Sequence, residues 1–255
     1  MAIDQNKNLH KIMIEILMKR FFGRMREYLG FFIDFLFPGN CIVCKKEIGK
    51  GLICNDCLNL VEEPKSPLCR CCGRPVDDKH YCGYCREDSI LDHGRAFTLY
   101  LPPVDTMIHH FKYRHKTKIA EFFGMGMAYL LKNDFYLCHA DLLVPVPLFW
   151  WKKLHRSYNQ AELLARIISQ QTSIPLMDAL VRIRPTRTQT RLDPKGRRRN
   201  VAGAFRIKKG LTVAEKKVIL IDDVMTTGAT IKECARILKT AGAKEIYSLV
   251  AAITP

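Results

Sequence analysis

Eight of the eleven cysteines fall into four C-x-x-C pairs: Cys41/Cys44, Cys54/Cys57, Cys69/Cys72 and Cys82/Cys85. No other feature constrains folding as strongly. A C-x-x-C turn aims two sulfurs at one point, and two such turns complete a tetrahedral thiolate site of the kind Zn²⁺ takes. Nine residues separate Cys44 from Cys54 and nine separate Cys72 from Cys82, so 41–57 and 69–85 are blocks of equal length. Segments this short bury too little apolar surface to fold unaided, and metal binding then supplies folding free energy.

The repeat predicts a small double zinc ribbon with two structural Zn²⁺, one per block. A cross-braced topology, in which alternate pairs share a metal, competes with it. A closed four-sulfur shell leaves no position for water or substrate. A disulfide knot or a redox pair is the alternative use of the same residues. Cys71 beside Cys72 leaves the register of the second block open, and His80 is a possible replacement ligand there. Cys138 and Cys234 stand alone and are expected to be small core residues.

So many free thiols fit a reducing, cytoplasmic compartment. Charges at Lys11, Glu15, Lys19, Arg20, Arg24 and Arg26 break up the N-terminal segment, which does not read as a signal peptide. The most apolar stretch, 28–37, is ten residues long and contains Asp34. A membrane-spanning helix needs roughly twenty apolar residues, so no span is expected.

Residues 1–38 form a helical lead-in: Ile12, Ile16, Met18, Phe22, Leu29, Phe32, Ile33 and Leu36 recur near helical spacing, and Pro38-Gly39 ends the pattern. It reads as a helix packed on its own protein, with a membrane-surface or partner helix as the alternative. The ribbons occupy 39–88. From residue 90 to 255 the texture alternates: strand at 141–147, helix at 159–169, strand at 217–222, helix at 231–240 and strand at 245–253. Such alternation predicts an α/β domain with a largely parallel sheet flanked by helices.

Apolar residues make up 48% of the chain, which excludes disorder for most of it, and the net charge is +16. The surplus points to a polyanion. It concentrates in 182–209, where eleven Lys or Arg residues face one acid, Asp193. A compact fold does not require such a run. It reads as a mobile loop or an exposed anion-binding surface.

The segment Val218-Ile-Leu-Ile-Asp-Asp-Val-Met-Thr-Thr-Gly-Ala-Thr230 carries the chemistry. A buried strand delivers Asp222 and Asp223, and a turn through Thr226, Thr227, Gly228, Ala229 and Thr230 opens a helix. Ligands of open α/β sheets bind beyond the carboxyl ends of the strands. The turn offers amides at a helix N-terminus and three hydroxyls, which suits a phosphate, and Gly228 permits close backbone approach. Two adjacent acids beside a phosphate site repel it unless they meet sugar hydroxyls or the water shell of a divalent cation.

This segment resembles the signature of type I phosphoribosyltransferases, which hold phosphoribosyl pyrophosphate (PRPP). The resemblance implies that Thr226, Thr227, Gly228, Ala229 and Thr230 bind the 5′-phosphate while Asp222 and Asp223 bind ribose. Val144-Pro-Val-Pro147, Arg156-Ser-Tyr-Asn-Gln160, Thr188-Gln189 with Leu192, Arg197 and Asn200, Ala204-Phe205 and the upstream ribbons together resemble the ComF family, from about residue 36 onward. One departure is Ser157-Tyr158, where the family resemblance leads one to expect Gly-Phe.

By the same resemblance, Lys152, Lys153 and Arg156 lie near the pyrophosphate, and the flexible loop contributes Arg197 and Asn200. Lys112-Tyr113 is a candidate to complete the pocket. The family is associated with DNA uptake in natural transformation. The implied function is a PRPP-binding, phosphoribosyltransferase-like protein with Mg²⁺ accompanying PRPP. In that reading Arg197, Arg198 and Arg199 hold single-stranded DNA, Tyr158, Trp150 and Trp151 are available for base stacking, and the ribbons dock a protein partner. The alternative is a metabolic phosphoribosyltransferase that transfers ribose 5-phosphate to a nitrogenous acceptor. No residue identifies that acceptor or a catalytic base.

Overall fold

The computed structural model describes residues 39–49, 51–77, 80–114, 116–150, 157–185 and 194–255, without the side chains of residues 194, 195, 197 and 198. The helical lead-in expected at 1–38 lies outside them. The contacts divide the chain into two units between Cys57 and Leu58.

In the first unit, β1 (Gly39–Asn40) pairs antiparallel with β2 (Glu47–Ile48). A single helical turn, α1 (Asn55–Leu58), follows. Buried Cys41, Cys54 and Cys57 pack with Val43, Ile48 and Ile53 into a small cluster of their own.

The second unit contains α2 (Gly83–Arg86), β3 (His93–Leu99), α3 (Val104–Tyr113), α4 (Ile119–Asn133), β4 (Leu142–Pro145) and α5 (Gln160–Thr172). It continues through β5 (Leu180–Arg182), α6 (Pro194–Val201), β6 (Phe205–Ile207), β7 (Lys217–Met225), α7 (Ala229–Thr240) and β8 (Glu245–Ile253). The sheet has the order β3-β8-β7-β4 with every pair parallel. The α/β expectation is met. No helix among the described residues is long and apolar enough to cross a membrane.

The apolar runs explain the order. Val218 to Ile221 of β7 are fully buried, as a central parallel strand covered on both faces requires. Lys217 pairs in register with Glu245, and Met225 with Ile253. Gly124 and Gly126 let α4 press close: an added Cβ would lie 2.8 Å from Ile167 and 2.1 Å from Phe97.

Three sequence-based boundaries shift. β7 runs to Met225, three residues past the expected end at 222, so Asp223 also lies inside the strand. The helix after it begins at Ala229, because Gly228 with φ of 74° forms its N-cap. The basic stretch is not simply a loop: 180–182 and 205–207 pair as an antiparallel β5–β6 ribbon, and α6 lies between them. Cys234 is buried as expected. Cys138 is not; it is exposed on the short 3-10 turn Leu137–His139, its thiol 3.2 Å from His139 Nδ1.

Candidate functional site

The eight paired cysteines form two groups, Cys41/Cys44/Cys54/Cys57 and Cys69/Cys72/Cys82/Cys85, with all four sulfurs of each group within 4.8 Å of one another. Each block therefore gathers its own ligands, and the cross-braced alternative is not realised. A tetrahedral Zn²⁺ with bonds of about 2.3 Å sets sulfurs about 3.8 Å apart. Cys41 and Cys57 are 3.8 Å apart, Cys44 and Cys54 3.6 Å, and Cys72 and Cys82 3.7 Å. The donor sets fit structural zinc. Cys72 rather than Cys71 joins the four-sulfur group, which sets the register, and the Cys71 thiol donates to the carbonyl of Leu91 at 3.2 Å.

The second block packs into the core of the sheet unit. Cys69, Cys71, Cys72, Cys82 and Cys85 share one apolar cluster with Ala96, Ile231, Cys234 and Val250. Gly73 and Gly94 make that approach possible. A Cβ on Gly73 would lie 2.8 Å from Arg95 Cα, and one on Gly94 would lie 2.4 Å from the carbonyl oxygen of Cys71.

At the carboxyl end of β7, Asp223 is buried and forms an ion pair with Lys112 of α3, Nζ to Oδ1 3.0 Å. Asp222 accepts the Asp223 amide at 2.8 Å. Asp222 is half-buried. Burial, and then the neighbouring Asp223 charge, push its pKa up to about 7. Lys112 and Arg182 oppose that rise. Arg182, from β5, stacks its guanidinium 5.3 Å from the Phe205 ring centroid, and burial lowers its pKa. Cys234 is fully buried, and burial and then the Asp222 charge push its thiol pKa well up.

The turn that follows runs from Thr226 to the first residues of α7. Gly228 takes the left-handed conformation that a side chain resists. Thr227 Oγ1 accepts the Ala229 amide at 3.4 Å. Among the described residues, the amides of Thr227 and Gly228 have no hydrogen-bond partner. Unpaired amides at a helix start suit an anionic group. Beside the turn lies a cleft of about 230 Å³ whose walls include Arg199, Thr227, Ala229 and Arg236.

Arg199 is exposed. Lys152, Lys153 and Arg156 lie outside the described residues, as do the side chains of Arg197 and Arg198. Asn200 is half-buried on α6. Tyr158 is not free for stacking: it packs against Phe111, ring centroids 5.9 Å apart, and its hydroxyl donates to the Phe111 carbonyl. Trp150 is 57% exposed. Ser157 has φ of 62°, so the position takes the left-handed backbone although it is not glycine. Asn159 caps α5, and its Nδ2 donates to the carbonyl of Val146, the residue after β4, at 3.1 Å.

Residues 32–86 match the double zinc ribbon domain family, and residues 159–253 match the phosphoribosyl transferase domain family. Competence protein F of Haemophilus influenzae is 30% identical over 224 residues, which are 82% of this chain and 95% of that protein. The chain belongs to the ComF family. Two further ComF relatives are the DNA utilization protein YhgH of Escherichia coli K12 and the competence protein ComFC of Bacillus subtilis. The first is 31% identical over 82% of this chain and 94% of that protein; the second is 26% identical over 74% and 79%. Among solved structures, a glutamine phosphoribosylpyrophosphate amidotransferase from B. subtilis overlaps 52% of this chain and 26% of its own, at 21% identity and a TM-score of 0.36.

Sequence reasoning passed over Arg74 and Lys232. Arg74 Nη2 donates to the Thr226 carbonyl, while its Nη1 reaches Thr254 Oγ1 at 2.8 Å and the Pro255 carbonyl at 2.7 Å. Buried Lys232, one helical turn after Gly228, donates to the Tyr84 carbonyl at 2.6 Å. The only hint was Gly73-Arg74 directly after a ligand pair, a spacing without meaning until the block is docked.

Proposed function

We propose that this ComF protein binds PRPP, or a related ribose 5-phosphate ligand, and acts in DNA uptake during natural transformation. The observation that carries the reading is the succession along β7 and its turn. Two carboxylates, Asp222 and Asp223, stand shortly before the amides of Thr227 and Gly228 and the threonine hydroxyls at the start of α7. A ligand with a cis-diol and a terminal phosphate uses both halves: the acids accept from the hydroxyls, and the residues 226–230 donate to the phosphate. Mg²⁺, bound with PRPP, supplies charge neutralisation for the pyrophosphate. Lys152, Lys153, Arg156, Arg197 and Asn200 are assigned to that end of the ligand by the family resemblance.

The names of the relatives, competence and DNA utilization proteins, favour a role with DNA over salvage metabolism. Single-stranded DNA is placed on the basic surface that includes Arg197, Arg198 and Arg199. A protein partner is assigned to the zinc ribbons.

Calorimetry on the zinc-loaded full chain tests the ligand. PRPP with Mg²⁺ should bind, ribose 5-phosphate more weakly, and inorganic phosphate far more weakly. No binding of PRPP ends the pocket assignment. Anisotropy of a labelled single strand across salt tests the DNA surface: each neutralised phosphate contributes about −0.7 to the log–log slope. Alanine at Arg197, Arg198 and Arg199 together should flatten the slope by about 2. Turnover of PRPP with a base acceptor would instead favour a metabolic transferase.

A further inference from the structure

We infer that Arg74, in the knuckle of the second zinc block, is a positioning residue for the phosphate-binding turn, so that the block presets the amides that meet the ligand. The assignment of the turn to a phosphate rests on the function proposed above; the positioning itself rests on the contacts alone.

The guanidinium of Arg74 gathers the carbonyls of Thr226 and Pro255 and both oxygens of Thr254. It is only 5% exposed and lies 5.1 Å from the Tyr84 ring centroid. Thr254 in turn donates its amide to the Met225 carbonyl at 3.1 Å. Arg74 thus clamps the last residue of β7, the first residue of the turn and the segment after β8 in one network.

A peptide unit is planar and trans, so its carbonyl and its amide point in opposite directions. Holding the Thr226 carbonyl toward the zinc block aims the Thr227 amide away from it. That amide is one of the two in the turn with no partner among the described residues. A cationic donor on the carbonyl also polarises the peptide and makes its amide a stronger donor. Lys232 fixes the other side of the turn: its amide bonds the Gly228 carbonyl at 2.9 Å while its ammonium is anchored on Tyr84, between Cys82 and Cys85. Two basic side chains therefore join the metal block to both ends of the turn. The Gly73 and Gly94 contacts bring the block close enough for them to reach.

Arg74→Ala and Arg74→Lys in the zinc-loaded full chain test this. Metal content, amide exchange of Ala229, Lys232 and Thr254, whose amides are hydrogen-bonded within and beside the turn, and binding of PRPP with Mg²⁺ and of single-stranded DNA are measured on each. Arg74→Ala should keep two zinc equivalents and speed exchange across the turn about tenfold. It should weaken PRPP by a similar factor and leave DNA affinity unchanged. Arg74→Lys keeps the charge but cannot span all four oxygens, and should fall between. Exchange of the turn unchanged in zinc-loaded Arg74→Ala overturns the assignment. If Arg74→Ala loses zinc, Arg74→Lys decides by the same readout, and loss of zinc from both would make Arg74 a support of the metal block only and overturn it. Faster exchange with no PRPP binding by the wild type would keep the positioning role and remove the ligand.

Discussion

Lys112 and Asp223 meet as an ion pair of 3.0 Å between α3 and the carboxyl end of β7, each largely shielded from solvent. The pair explains how two adjacent carboxylates coexist at this end of β7. Lys112 neutralises Asp223, and burial with the neighbouring charge drives Asp222 toward its neutral form. Removing one partner of such a pair leaves a shielded charge uncompensated. Lys112→Met should therefore destabilise the protein by about 1–3 kcal/mol at pH 8. The same change made on top of Asp223→Asn should cost much less. A double-mutant cycle by urea unfolding reads the coupling directly.

Asp222 predicts a pH dependence of stability. Its pKa in the folded protein, about 7, lies above the ordinary value of 3.8. The folded state then holds a proton that the unfolded state releases, so stability is full below pH 4 and falls as the pH rises to about 7. At 1.36 kcal/mol per pKa unit the loss is on the order of 4 kcal/mol. Asp222→Asn should abolish this fall and be more stable than the wild type at pH 8. Unfolding midpoints of both proteins from pH 4 to 8 check the sign and the window.

The two zinc sites should differ in what they support. Cys41, Cys54 and Cys57 pack within their own cluster, whereas Cys72, Cys82 and Cys85 belong to the core beside β3 and α7. Zinc analysis should give two equivalents per chain. Cys41→Ser should lower this to one and leave the main thermal transition in place. Cys72→Ser should lower the main transition by 10 °C or more, as roughly 4 kcal/mol of lost stability implies for a domain of this size.

Gly94→Ala isolates the close contact from the metal chemistry. The added methyl meets the Cys71 carbonyl and Ser248 Oγ at 2.4 Å, and the Cys72 Cα at 2.9 Å. Backbone on one side and a fully buried serine on the other leave little room to yield. A loss of about 2–3 kcal/mol is expected, measured by chemical denaturation, with the first zinc site unaffected.

Ser157→Gly should work the other way. Ser157 is exposed and held at φ of 62°, a region that costs a side chain about 1 kcal/mol or more. Glycine relieves that strain but adds freedom to the unfolded chain. A net gain of up to about 1 kcal/mol is expected. A loss would show that the hydroxyl makes a compensating interaction.

What the sequence determined by itself is what lies within a few residues along the chain. C-x-x-C spacing brings two sulfurs to one point through the geometry of a single turn. The run from Val218 to Thr230 dictates strand, acids, turn and helix in that order, because β-branched residues, Gly228 and the α7 apolar face act locally. Only the tertiary structure decided the rest: that Lys112 neutralises Asp223, that Arg182 lies near Asp222, and that Arg74 reaches Thr226 across 152 positions of sequence. It also turned Cys138 outward and drew the second zinc block into the sheet core. Spacing carries no information about such pairs. They follow from which apolar faces bury together and from the two glycines, Gly73 and Gly94, that allow one backbone to lie against another.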